Sequence, residues 1–179
     1  MASIIEAERN FDELVAGFEP MIRDIMAAQK KEVQVYITEQ LYSGINGNDK
    51  PLRPTYLNDP YFKNKESGSW YKNARGYMIW KKGITPPYAS SWLGIPRRSP
   101  ETPNLIIRGD FHNSITAVPF DKGLRIESVG VSFSGDIERK YGQAIYKVGS
   151  YARKHFIEKY VKKGIANYFR SSVWNELYV

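Results

Sequence analysis

Asp121, Glu138 and Lys140 are the residues whose types and spacing come nearest to a reaction. Two carboxylates can hold a magnesium ion and a lysine can support an attacking water. Asp121 follows Pro119-Phe120, and Glu138 opens the run Glu138-Arg139-Lys140 beyond a strand-like stretch. A plainer reading competes, in which Asp121-Lys122-Gly123 is a turn and Glu138-Arg139-Lys140 a solvated charge run. Asp110 and His112, two apart on a strand, would share a face and could hold a metal together with His155. The chain has only 2 histidines, however, and no HxH or HExxH spacing. Asn46, Asn48 and Asp49 lack the spacing and the distal glutamate of a calcium loop. Arg108-Gly109-Asp110 is an integrin-type tripeptide by letters alone. With 0 cysteines, disulfides, thiol nucleophiles and cysteine-rich zinc sites are excluded.

The formal charge of +7 is unevenly placed. Nine Lys or Arg and one acid, Glu158, lie between Arg139 and Arg170, against 17 basic and 18 acidic residues elsewhere. Such a segment suits nucleic acid, an acidic protein partner or an inward-facing pore, and charge alone does not choose among them. Its exposed cations are expected to be Arg153, Lys154, Lys159, Lys162 and Lys163. No helix-turn-helix, zinc-finger or RNA-binding signature accompanies them. Aromatics make up 14% of the chain, 13 of them tyrosines, and Tyr and Trp suit surfaces that a partner half buries. No apolar run approaches the roughly 18 to 20 residues that span a bilayer, and the N-terminus lacks a signal-peptide layout. The chain is therefore expected to be soluble and untargeted.

The elements that position these residues point to an α+β fold. A small antiparallel sheet is expected to be packed by a long N-terminal helix and a C-terminal helix, with a long proline- and aromatic-rich insertion. One domain, 1–179, would comprise helices at 1–42, an extended insertion at 43–103, and sheet plus closing basic helix at 104–179. Ser3-Ile4-Ile5-Glu6 is a capping box, and Phe11, Leu14, Val15 and Phe18 repeat at helical spacing up to Pro20. A second helix of about 22 residues follows from Met21, with Ile22, Ile25, Met26, Val33, Tyr36, Ile37 and Leu41 as its stripe. Gly44 is its expected left-handed cap and Asn46-Gly47 a tight turn. Between Lys50 and Pro103 lie 8 of the 10 prolines, with one short strand or helix expected within Tyr71 to Lys82. Asn104 to Arg108 and Phe111 to Val118 read as a strand pair bent at Gly109. Leu124 to Phe133 alternates and reads as the next strand, and a last helix is expected from Tyr151 to about Tyr168.

Taken in order, these elements resemble the head–tail joining or tail-completion proteins of tailed bacteriophages. The residues that carry the resemblance are Asn104-Leu105-Ile106-Ile107-Arg108-Gly109-Asp110-Phe111-His112-Asn113-Ser114-Ile115, then Lys140-Tyr141-Gly142-Gln143-Ala144-Ile145-Tyr146, with Leu52-Arg53-Pro54-Thr55-Tyr56 and Asp59-Pro60-Tyr61-Phe62 before them. Where that family has Thr-Gly, this chain has Arg108-Gly109. The resemblance implies a virion structural protein without an active site, cofactor or metal. It would form a ring of about six to twelve identical copies by head-to-tail contact, between portal or connector and tail-tube proteins, with DNA passing through and no membrane. Such a protein would be found in the virion, and in the host cytoplasm during assembly. On this reading Trp70, Tyr77, Trp80, Tyr88 and Trp92 anchor interfaces. The Pro-Asp and Glu-x-Lys pair at Asp121, Glu138 and Lys140 also resembles that of restriction-type nucleases, so a magnesium-dependent nuclease, or a nucleic-acid-binding protein, is the alternative.

Overall fold

The computed structural model describes residues 4–121 and 123–174; Ser3 of the capping box and Lys122 of the hairpin turn lie outside them. The fold is α+β. In order come α1 (Ile4–Ala28), α2 (Lys30–Tyr42), α3 (Ala74–Ile84), α4 (Asp110–Ser114), β1 (Ile115–Phe120), β2 (Gly123–Ser128), α5 (Ser134–Tyr141), α6 (Ser150–Phe156), a π-helical turn (Ile157–Val161) and α7 (Lys162–Trp174). The strands β1 and β2 form a two-stranded sheet. Residues group into two compact units. A core unit holds Lys31–Ala117 and Ile126–Arg153, and a helical unit holds the residues up to Lys30, Val118–Arg125 and those from Lys154.

In the helical unit α1 packs against α7 where glycines let the backbones approach. A Cβ on Gly17 would meet the Tyr168 hydroxyl at 2.3 Å, and one on Gly164 would meet Ile25 Cδ1 at 2.2 Å. Position 17 opposes 168 and position 25 opposes 164, so the two helices run antiparallel. The Tyr168 hydroxyl donates to the Leu14 carbonyl at 2.8 Å, and Phe18 packs against Tyr168 and Phe169. The expected helix boundary at Pro20, as the end of one helix or the start of the next, is corrected, because α1 runs through it. An interior proline costs about 3 kcal/mol, and packing on both sides of it, at Gly17 and Ile25, offsets that cost. The break falls instead at Gln29, where the chain passes from one unit to the other. The hairpin tip lies on the same helix, where Arg23 Nη1 donates to the Asp121 carbonyl at 3.2 Å.

The core unit is built on α2. Tyr36, Ile37 and Leu41 are fully buried, and Ile37 and Leu41 cluster with Leu52, Phe111, Ile115 and Ile145. Gly44 takes the expected left-handed conformation, φ +71°. The loop after it closes through a bridge from Ile45 to Pro51. Gln40, almost fully buried, donates through Nε2 to the Lys147 carbonyl at 3.0 Å and accepts from the Gly149 amide at 2.8 Å. The Asp49 carboxylate accepts from the Ser150 amide at 3.0 and 3.1 Å, which caps the start of the closing helix. Gly47 donates to the Ala144 carbonyl at 2.8 Å, and a Cβ there would lie 2.2 Å from the Lys147 carbonyl oxygen. A backbone atom cannot swing aside as a side-chain tip can. Gly47→Ala is therefore expected to cost about 2 to 3 kcal/mol in urea unfolding. Gly83→Ala in α3, where a Cβ meets nothing within 4 Å, should be neutral or stabilising by up to about 1 kcal/mol.

The insertion is not an extended loop. It coils into 3-10 turns at Tyr56–Asn58, Pro60–Lys63 and Lys65–Trp70 before α3, and it buries Leu52, Tyr56, Phe62, Leu93 and Ile95. Asx side chains start the second and third of these turns and α3: Asp59 accepts from the Tyr61 amide, Asn64 from Glu66 and Asn73 from Gly76. The expected strand at Asn104 to Arg108 is also corrected. His112 Nε2 bonds the Asn104 carbonyl at 2.8 Å and Lys81 Nζ bonds that of Ile106, so side chains use the groups a ladder would need. Leu105 has φ +55°, which no strand accommodates. Gly109, φ +96°, bends the chain as expected but leads into α4, and the strand begins only at Ile115. The second strand stops at Ser128 rather than Phe133, just before Gly130 with φ +79°. The closing helix extends past Tyr168 to Trp174.

Candidate assembly surface

Helix α3 brings three of the five proposed anchors together. Trp70, Tyr77 and Trp80 lie with ring centroids 5.3 to 5.5 Å apart, and Tyr56 and Phe62 close on Tyr77 from within. Tyr77 is the inner member, and burial pushes its phenol pKa up to about 12. Trp80 stays 39% exposed at the rim. The other two anchors rest on α2 instead. Trp92 stacks on Tyr36 at 5.6 Å while remaining 42% exposed. Tyr88 packs on Tyr42 at 4.9 Å, and its hydroxyl donates to Glu39. Each of these rings therefore has one face on its own chain, while Trp80, Tyr88 and Trp92 keep another in water.

The insertion is held to α2 from beneath by Arg98. Its guanidinium, 7% exposed, donates to three backbone carbonyls: Nε to Tyr42 at 3.1 Å, Nη1 to Thr102 at 3.1 Å and Nη2 to Thr85 at 2.7 Å. Lys81 is buried nearby, its ammonium donating to Thr85 Oγ1 at 3.1 Å and to the Ile106 carbonyl. Desolvation and the Arg98 charge lower its pKa to about 8. Neither buried cation was foreseeable from sequence, since nothing in the local pattern separates them from the solvated Arg97 and Lys82.

The five basic residues are all exposed. Arg153 closes the core unit, and Lys154, Lys159, Lys162 and Lys163 belong to the helical unit. Lys162 pairs with Glu158 at 3.5 Å and Lys159 lies over the Tyr160 ring at 5.0 Å. Asp121 sits at the hairpin tip of the helical unit, whereas Glu138 and Lys140 lie on α5 of the core unit. Lys140 is ion-paired with the buried Asp59, and Gln143 bonds Glu138. Among the described residues no three His, Asp or Glu side chains gather as a metal site would require, and no helix is long and apolar enough to cross a membrane. A cavity of about 630 Å³ in the core unit is lined by Tyr77, Lys81, Leu105, Phe111, Ile137 and Lys140. Its two lysines are the ones already bonded to Thr85 and Asp59. No protein-family model matches the sequence, and no curated protein or solved structure matches it.

Proposed function

We propose that this chain is a virion structural protein of a tailed bacteriophage, forming an oligomeric ring at the head–tail junction that joins portal or connector to tail. The observation that carries the reading is the apolar surface left in water on each unit taken by itself. Phe11 and Val15 of α1 are 65% and 56% exposed, and the rims of the aromatic groups at Trp80, Tyr88 and Trp92 are solvated too. Large apolar side chains grouped on the surface mark protein interfaces. Different patches on one chain suit a heterologous contact, which closes into a ring when the rotation allows. The sequence order of long helix, hairpin and closing helix supports the same reading. On it the protein carries out no chemistry, and its work is geometric.

The absolute mass of the purified protein, measured by light scattering with and without magnesium and duplex DNA, tests this. About six to twelve copies, indifferent to both additions, is the expected result. A single-copy mass at high concentration, or cleavage of the DNA that Asp121→Ala and Glu138→Ala abolish, overturns it.

A further inference from the structure

The helical unit carries two exposed faces with the same spacing and opposite charge. On α1, Asp12, Val15 and Glu19 follow one another at i, i+3 and i+7, and all three are exposed. On α7, Lys163, Ala166 and Arg170 repeat that spacing, again all exposed. In both helices the charges are two turns apart, about 10.5 Å, with an apolar or small residue between them. The surroundings follow the same sense. From Ile4 to Asp24 the chain has six acidic and two basic residues, and from Lys154 to Arg170 five basic and one acidic.

Neither face is the one used inside the unit. The α1–α7 contact runs through Leu14, Gly17 and Ile25 on one helix and Gly164 and Tyr168 on the other. Val15 lies beside that line of residues, turned further from it than Phe18, and Ala166 lies two residues from both Gly164 and Tyr168, on the outer side of α7. Two ion pairs of the unit, Arg9 with Glu13 and Lys162 with Glu158, each run along a single helix and leave Asp12, Glu19, Lys163 and Arg170 available. Phe11 and Phe18 border the acidic face and Phe169 the basic one, all of them exposed.

Resting on the ring reading above, we propose that the Asp12–Val15–Glu19 face of one copy docks on the Lys163–Ala166–Arg170 face of the next. A small residue at the centre of one face lets two helices approach closely. Two opposite-charge pairs at equal spacing then fix their register, which is what charge does best at an interface. Each copy offers one face of each kind, so every copy has two neighbours and the contact is head-to-tail. Duplex DNA is the poorer occupant of the basic face. That face is broken by Ala166 and Phe169, and its match in charge and spacing is present on the same chain.

Charge reversal and mixing decide the matter. Asp12→Lys with Glu19→Lys, and separately Lys163→Glu with Arg170→Glu, are each expected to weaken self-association about 100-fold, read by light scattering on protein whose circular dichroism is unchanged. Mixed in equal amounts, the two variants should reassemble as alternating copies, because each then meets only opposite charge. A role for these residues inside one copy cannot be rescued by mixing. If the wild type forms a ring and mixing does not restore one, this docking is wrong and the ring reading stands. A wild type that stops at two copies shows a two-fold contact and overturns the head-to-tail geometry. A wild type that stays single overturns both readings, and loss of binding to a duplex oligonucleotide in the α7 variant with assembly intact assigns that face to nucleic acid.

Discussion

Replacing Arg98 by alanine is expected to remove about 3 to 5 kcal/mol of stability, a large share of the roughly 5 to 15 kcal/mol that holds an ordinary domain folded. Its guanidinium is the shared donor for carbonyls of Tyr42, Thr85 and Thr102, three points distant in sequence. Truncation leaves two of those carbonyls, at Thr85 and Thr102, in fully buried surroundings without their donor. Each such loss costs about 1 to 3 kcal/mol and the losses do not add. Arg98→Lys keeps the charge but not the planar fork, so it should recover less than half of the stability. Urea unfolding at constant slope measures both. A loss below 1 kcal/mol for the alanine variant would mean that water replaces the guanidinium and that Arg98 does not organise the insertion.

Acid lability set by His112 is the second large effect. The imidazole is 7% exposed and bonded to the Asn104 carbonyl. Burial, with the Lys81 charge adding to it, lowers its pKa from 6.5 to about 4. Above pH 6.5 the ring is neutral folded and unfolded alike, and stability does not depend on it. Between pH 6.5 and 4 the unfolded chain takes up a proton that the folded chain refuses, so stability falls as the pH drops. The full loss, reached below the folded value, is about 3 kcal/mol. His112→Gln should lower stability at neutral pH yet flatten the profile between pH 4 and 6.5 relative to the wild type. Parallel profiles for the two proteins would show that carboxylates alone carry the acid transition.

The fold class was legible because its main elements announce themselves locally. The apolar stripe of Val33, Tyr36, Ile37 and Leu41 and the glycine stop at Gly44 reappear as built, and of the strand expected from Leu124 to Phe133 the part up to Ser128 forms. The central stretch was not, because its backbone groups are claimed by Lys81 and His112, and a long-range side chain leaves no trace in local periodicity. The insertion hid a different kind of signal. Asp59-Pro60, Asn64 and Asn73 are good helix-start residues, but the prolines and aromatics around them read more strongly as extended chain. For the candidate surface, spacing shows that Phe11, Leu14, Val15 and Phe18 lie on one helix, while the structure divides them, Leu14 inward and Phe11 and Val15 outward. Only that division separates the acidic face from the packing face. The aromatic anchors were readable as a group, but not which of them spend a ring face on their own chain.

The order in which the two units can be completed follows from how the chain is threaded between them. The core unit draws on nothing beyond Arg153, whereas the helical unit needs both its earliest segment and Tyr168 and Phe169. During synthesis, which adds about 5 to 20 residues per second, α1 therefore emerges first and waits while well over a hundred residues are made before its partner helix exists. Its acidic flank is exposed throughout that interval, while the basic face it would dock on belongs to the later helix. On the docking proposed above, nascent copies sharing one messenger RNA would carry only the acidic half of the contact until α7 is made, so joining would wait for that helix.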